Sequence, residues 1–260
     1  MTKPKALLID ITKCIGCQAC VYACKEANNL PETENDEAEL SPTAYTVVKE
    51  KDEVYYRRLC MHCNDPTCAS VCPVKAFEKT PNGPVIYHSK KCIGCRYCIQ
   101  ACPFNVPTYE WKSTKPLVRK CTMCAERQKQ GKISACAEAC PTGATIFGDR
   151  DQLLEEARKR IKENPELYVN HIYGEKEAGG TSVLMLSNVP FETLGFRTDL
   201  LEEPLSQLTW KIMSKIPNYV VVSGVLLYGL YWIINRRMEL AELEDKSTDS
   251  HKSKKTIDQT

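Results

Sequence analysis

Apolar residues follow three different rhythms along this chain, and each predicts a different element. Up to residue 148 they come in short runs such as Tyr45-Val48 and Val85-Tyr87, which read as brief strands between turns. After the candidate caps Asp149 or Asp151, Leu153, Leu154, Ala157 and Ile161 recur at helical spacing, predicting a packing helix that lasts until Pro165. The third rhythm is continuous. Ile216 to Asn235 carries no charge, is dominated by Val, Leu, Ile, Tyr and Trp, and is bounded by Lys215 and Arg236-Arg237. At about 1.5 Å per residue it would reach roughly 30 Å, one hydrocarbon core, so a single membrane-spanning helix over 211–237 is expected. Trp210, Tyr219, Tyr231 and Trp232 suit interfacial anchoring. The competing reading is a buried or partner-facing helix with Gly224 and Gly229 at its contacts. Arg236, Arg237 and the later lysines favour a cytoplasmic C-terminus, although Lys211 and Lys215 dilute that bias. Residues 238–260 are polar and charged and are expected to be disordered.

Composition changes this picture at one point. Of 260 residues, 43% are apolar, which is ordinary for a globular chain, and a net charge of +2 gives no field toward nucleic acid or acidic substrates. The sixteen cysteines are not ordinary, since all of them lie at or before residue 140. The early run Ala6-Leu7-Leu8-Ile9 is too short for a signal-peptide core and lacks a cleavage site, so no export signal of the chain's own is expected.

The cysteines fall into four quartets. Cys14, Cys17, Cys20 and Cys24 form C-x2-C-x2-C-x3-C, and Cys92, Cys95, Cys98 and Cys102 repeat it, followed by Pro103. Cys60, Cys63, Cys68 and Cys72, followed by Pro73, widen one gap to four residues, and Cys121, Cys124, Cys136 and Cys140, followed by Pro141, widen it to eleven. The unwidened pattern is the bacterial ferredoxin run. A compact turn lets neighbouring thiolates reach different irons of one cubane while backbone N–H groups point inward. Gly16 and Gly94 sit where close backbone approach is expected. The closing cysteine is expected to begin a helix, face away and ligate a neighbouring cluster. Structural zinc would use separated pairs of cysteines, and disulfides would staple a small secreted domain; neither favours this spacing repeated four times. With no ligand missing or left over, four 4Fe-4S clusters and a purely electron-carrying role are expected. No catalytic residue is identified: His62, His88, His171 and His251 are scattered, and His62 reads as a group near a cluster or at the surface. Arg57, Arg58, Lys91, Arg119 and Lys120 flank the motifs and either offset cluster charge or are solvated loop charges.

The stretches "CMHCNDPTCASVCPV", "KCIGCRYCIQACPFNVP" and "CAEACPTGATIFG" resemble the four-cluster iron-sulfur subunits of membrane-bound bacterial oxidoreductases. "YGEKEAGGTSVLMLSNVPFETLGF" at 173–196, followed by one hydrophobic helix, is similar to the corresponding subunits of respiratory formate dehydrogenase and of the hydrogenase-2 type. The resemblance implies an α+β fold of two ferredoxin-like halves, one (about 56–112) inserted in the other, within a tetracluster region 1–148. A cysteine-free extension, 149–210, would pack on partners. It also implies crossed ligand sets: Cys14/Cys17/Cys20/Cys140, Cys121/Cys124/Cys136/Cys24, Cys60/Cys63/Cys68/Cys102 and Cys92/Cys95/Cys98/Cys72. The implied partners are a large catalytic subunit, a molybdopterin enzyme or a hydrogenase, and an integral membrane quinone-reactive subunit. The implied location is the cell inner membrane with the cluster domain periplasmic. Unlike the hydrogenase-2 type subunit, this chain begins without a twin-arginine signal, which favours the formate dehydrogenase arrangement. A soluble ferredoxin meeting its partners by diffusion is the alternative of another class.

Overall fold

The computed structural model describes residues 3–31 and 39–257, with side chains as far as residue 243. In chain order its elements are strand β1 (Lys5–Asp10), helix α1 (Ala19–Ala27), the strand pair β2 (Thr46–Lys51) and β3 (Val54–Leu59), helix α2 (Thr67–Ser70), and the pair β4 (Phe77–Lys79) and β5 (Val85–Tyr87). Helix α3 (Tyr97–Gln100), strands β6 (Thr108–Tyr109) and β7 (Val118–Arg119), and helices α4 (Ala125–Lys129) and α5 (Ala135–Glu138) follow. Then come β8 (Thr145–Asp149), α6 (Arg150–Glu163), β9 (Val183–Leu186), α7 (Leu205–Met213) and α8 (Ile216–Ile257). The chain divides near Leu208 into two compact units.

In the first unit β1 is the central strand of a three-stranded sheet. It runs antiparallel to β8, with Leu7 opposite Phe147, and parallel to β9, with Leu8 opposite Leu184. A strand covered on both faces has no reason to alternate apolar with polar residues, which explains the uninterrupted Ala6-Leu7-Leu8-Ile9 run. Leu7, Ile9, Val183 and Met185 point into a core that also contains Cys20, Cys24, Cys121 and Cys136. On the opposite face Ala6, Leu8, Leu184 and Leu186 are covered by Leu153, Leu154 and Ala157 of α6. Each of those leucines contributes roughly 1.5–3 kcal/mol by leaving water. Helix α6 starts after Asp149 and ends before Pro165, as its periodicity predicts, but the Asp149 carboxylate accepts from Lys5 Nζ at 2.5 Å instead of capping the helix.

The expected division at 148/149 is therefore not a structural boundary. Residues after 148 supply an edge strand beside β1 and a helix over its face, and without them β1 would lose both. Three two-stranded hairpins complete the unit, pairing Thr46 with Leu59, Phe77 with Tyr87, and Thr108 with Arg119. The last two hairpins share a small core of Phe77, Val85, Cys98 and Val118.

The second unit holds α8, and Pro217 lies in its first turn, where the missing N–H has no partner to lose. Among the described residues one helical segment, Leu205–Leu243, is long and apolar enough to cross a membrane. Its large apolar side chains, including Val221, Leu226 and Trp232, are exposed. Helix α8 runs on to Ile257, so 238–257, expected to be disordered, is helical; Met238, Glu239, Leu240, Ala241, Glu242 and Leu243 are all strong helix formers. Residues 258–260 of that segment lie outside the described ones.

Candidate cluster sites

Local chemistry shapes the first and third cysteine loops in the same way. A 3-10 turn over Ile11–Lys13 delivers Cys14, and another over Ser89–Lys91 delivers Cys92. Gly16 and Gly94 then take φ values of +70° and +73°, and Gln18 and Arg96 sit at φ 61° and 63° just before α1 and α3. Both glycines lie close to tyrosine side chains. A Cβ on Gly16 would lie 2.5 Å from the Tyr55 ring, and one on Gly94 would lie 2.9 Å from the Tyr109 hydroxyl. Backbone N–H groups do point at sulfur: Gly94 N donates to Cys92 Sγ (3.4 Å), Met123 N to Cys121 Sγ (3.3 Å) and Ala76 N to Cys72 Sγ (3.2 Å).

In three of the four quartets the closing cysteine does not begin a helix; it follows one. The third cysteine of each quartet, Cys20, Cys68, Cys98 or Cys136, rides on the short helix, and Cys72, Cys102 and Cys140 come just past its end. Pro73, Pro103 and Pro141 cannot continue the helix, and three residues beyond each closing cysteine Lys75, Asn105 and Gly143 take positive φ to finish the turn. The first quartet lacks that proline, and α1 accordingly runs past Cys24 to Ala27.

All sixteen thiols are free. Burial, then the neighbouring Cys140 and Cys17, raise the Cys14 thiol, while Cys20 is raised by burial and by Cys136, Cys14 and Cys140. Cys24, the closing cysteine of the same quartet, keeps other company: burial, Cys136 and Cys124 push it up to about 12. Cys121 is raised by burial and by Cys24, Cys60 and Cys136. Burial raises Cys63, with Cys60, Cys102 and Cys68 adding to it. Cys98 is pushed up to about 11 by burial, Cys92, Cys95 and Cys72. The closing cysteines Cys24, Cys72, Cys102 and Cys140 thus each interact with opening cysteines of a different quartet. Cys140 differs in sign: against the push of burial, the backbone N–H groups of Thr145, Thr142 and Ala144 and the Thr142 hydroxyl hold it low.

A small cavity is lined by Cys24, Cys121, Cys124 and Cys136, with Arg57 on its wall. Four free thiols around one buried space, met by inward N–H groups, fit an iron-sulfur cubane, whose soft irons favour thiolate. Among the described residues no three such ligands crowd as a single metal ion requires.

The flanking cations separate into two classes. Arg57 and Lys120 are 2% and 5% exposed. Burial works to lower Arg57, but Cys20, Cys136 and Cys24 hold it above the usual range. By contrast Lys91 is exposed, Arg58 lies over the Phe196 ring at 5.1 Å, and Arg119 pairs with Glu110 at 2.6 Å. His62 is not at the surface. It is completely buried, and its Nδ1 accepts from Val85 N at 2.9 Å. Burial, Lys120 and Lys79 hold its ring well below the usual histidine range, and among the described residues Nε2 has no hydrogen-bond partner. His88 pairs with Glu78 and His171 with Glu177, while the side chain of His251 lies outside the described residues. Sequence reasoning missed Lys79, which burial lowers to about 8 although Cys63 and Cys60 oppose it. Its Nζ donates to the carbonyls of Gly83 (2.6 Å) and His62 (3.1 Å). No motif marks it; the signal is only a lysine within a strand-like run.

Comparison with known proteins agrees with this chemistry. The profile of the 4Fe-4S dicluster domain matches residues 51–150. The hydrogenase-2 operon protein HybA of Escherichia coli O157:H7 is 38% identical over 234 residues, which cover 72% of this chain and 71% of HybA. A formate dehydrogenase iron-sulfur subunit of Haemophilus influenzae is 34% identical over 244 residues, covering 85% of this chain and 77% of its own. The nitrate-inducible formate dehydrogenase iron-sulfur subunit of Escherichia coli K12 is 36% identical over 197 residues, 69% of this chain and 66% of that one.

Proposed function

The chain belongs to the family of 4Fe-4S iron-sulfur subunits of formate dehydrogenase and hydrogenase-type complexes, and from there we propose that it is a four-cluster relay between a catalytic subunit and a quinone-reactive membrane subunit. When bound, the clusters supply one-electron carriers. The ligand sets are Cys14/Cys17/Cys20/Cys140, Cys24/Cys121/Cys124/Cys136, Cys60/Cys63/Cys68/Cys102 and Cys72/Cys92/Cys95/Cys98, two in each of two ferredoxin-like halves.

The observation that carries this reading is the order in which the thiols meet. Cys20 interacts with Cys136 of the second set, Cys121 of the second with Cys60 of the third, and Cys68 of the third with Cys98 of the fourth. Each of these contacts joins neighbouring sets, which supports a serial arrangement of the four. Its two ends carry the exposed cysteines, Cys17 and Cys95, whereas the inner two sets hold buried or half-buried ones. Electrons would gain access at the ends.

We assign the catalytic partner as a molybdenum or tungsten formate dehydrogenase. A nickel-iron hydrogenase is the second reading, favoured by 38% identity to HybA against 34% and 36% to the formate dehydrogenase subunits. Metal analysis of the copurified large subunit separates them, since a pterin metal supports the first and nickel the second. The C-terminal helix would anchor the subunit in the inner membrane, with Arg236 and Arg237 on the cytoplasmic side and the clusters in the periplasm. Truncation after Lys215 should release the subunit from membranes; unchanged membrane association would refute the anchor.

A further inference from the structure

Arg57 is buried without the partner such a group needs. Nη1 donates to Thr145 Oγ1 at 2.9 Å and Nη2 to Thr46 Oγ1 at 3.1 Å, both neutral hydroxyls, and among the described residues Nε has no acceptor. Among the described residues no carboxylate pairs with it; it shares the wall of a small cavity with Cys24, Cys124 and Cys136, and its charge meets Cys20, Cys136 and Cys24. Cys14 and Cys124 meet it as well. An uncompensated guanidinium in a protein interior is strongly disfavoured, so its counter-charge has to come from the thiolates. Those five cysteines belong to two different ligand sets.

Resting on the cluster assignment above, we propose that Arg57 is the shared counter-cation of the two clusters held by Cys14/Cys17/Cys20/Cys140 and Cys24/Cys121/Cys124/Cys136, raising both of their reduction potentials together. The physical reason is direct. A cubane with four thiolates is net negative, and accepting an electron adds another negative charge. A fixed cation in a low-dielectric wall therefore favours the reduced form. Arg57 acts here as a positioning charge and contributes no ligand.

EPR-monitored redox titration of the purified complex tests this, with Arg57→Lys, Arg57→Gln and Arg57→Met beside the unaltered protein. In the neutral variants two of the four cluster transitions should fall by at least tenfold in the reduction equilibrium, about 59 mV for one electron, while the other two stay put. Arg57→Lys should recover most of that shift. If neither neutral variant assembles but Arg57→Lys does, the charge requirement is supported. A neutral variant with unmoved potentials, an equal shift of all four transitions, or an Arg57→Lys variant that behaves as the neutral ones would overturn the proposal. Fewer than four transitions in the unaltered protein would instead refute the cluster assignment itself.

Discussion

The thiols around Arg57 and those around Cys92, Cys95 and Cys98 come from the same local repeat, yet they sit in opposite electrical surroundings. Cys20, Cys24, Cys121 and Cys136 are each less than a tenth exposed, and Cys20, Cys24 and Cys136 share one buried guanidinium. At the other end Cys95 is exposed, Ile93 and Tyr97 are 65% and 62% exposed, and Arg96 lies over Tyr109 and Trp111, outside the core. The loops themselves barely differ, since Gly16 and Gly94, and likewise Gln18 and Arg96, share nearly the same φ. Local sequence thus decides where a thiol points, and tertiary packing decides what charge it meets. A charge in the interior acts almost undiminished, whereas one at the surface is screened by water and salt.

Breaking the ligand sets should separate the two ends most strongly. Cys136→Ser sits in the core beside Arg57, and we expect it to lose both clusters that face that arginine and to unfold more readily. Cys95→Ser should lose no more than its own cluster and stay folded; iron content and circular dichroism measure both. Equal iron loss in the two variants would mean that burial does not set the hierarchy.

The supports of the cations rank next. Thr145→Val removes an acceptor from a buried charge and should cost about 1.5–3 kcal/mol of stability. Arg96→Ala, which removes only exposed cation–π contacts, should cost about 0.5–1 kcal/mol. Denaturant unfolding compares the two.

Glycine replacement sharpens the comparison further. Gly16→Ala combines φ +70° with a 2.5 Å approach to an aromatic ring, whereas Gly94→Ala meets only one hydroxyl at the end of a side chain. The first should cost more than the roughly 1–2 kcal/mol of a left-handed non-glycine residue, and the second about that much. Unfolding midpoints of the two variants are the readout, and equal losses would remove the Tyr55 contact from the account.

The smallest effect lies away from both ends. His171 Nε2 is 2.6 Å from Glu177 Oε1; that bond raises the histidine, and despite burial the same pairing lowers the glutamate. A raised histidine contributes stability that is complete below its unfolded value of 6.5 and lost as pH rises through its folded value. A lowered glutamate contributes stability that is complete above its unfolded value of 4.5 and lost as pH falls through its folded value. The pair should therefore help most between pH 4.5 and 6.5, and His171→Gln should flatten the stability profile there. A profile unchanged by the substitution would contradict the pairing.

Spacing made the cysteine loops legible, because ligand reach is a local property, and the uncharged run from Ile216 to Asn235 was equally plain. The helix over 150–163 could be read from Leu153, Leu154, Ala157 and Ile161. What could not be read was long-range. The run Ala6-Ile9 looks the same whether it ends up covered on one face or two, and only the parallel pairing with Val183–Leu186 makes it the centre of the sheet. Arg57, Arg58, Lys91, Arg119 and Lys120 look equivalent in the sequence. Burial singles out Arg57 and Lys120, and that burial depends on hydroxyls and carbonyls as distant as Thr145. Helix α8 exceeded expectation because charged residues such as Glu239 and Glu242 propagate a helix as readily as they solvate a loop.

Iron-edge anomalous diffraction from crystals of the complex tests the arrangement most directly. Four separate iron centres should appear in this subunit, in line, with Cys140 rather than Cys24 completing the one held by Cys14, Cys17 and Cys20. Fewer centres, or Cys24 bound beside Cys20, would contradict it.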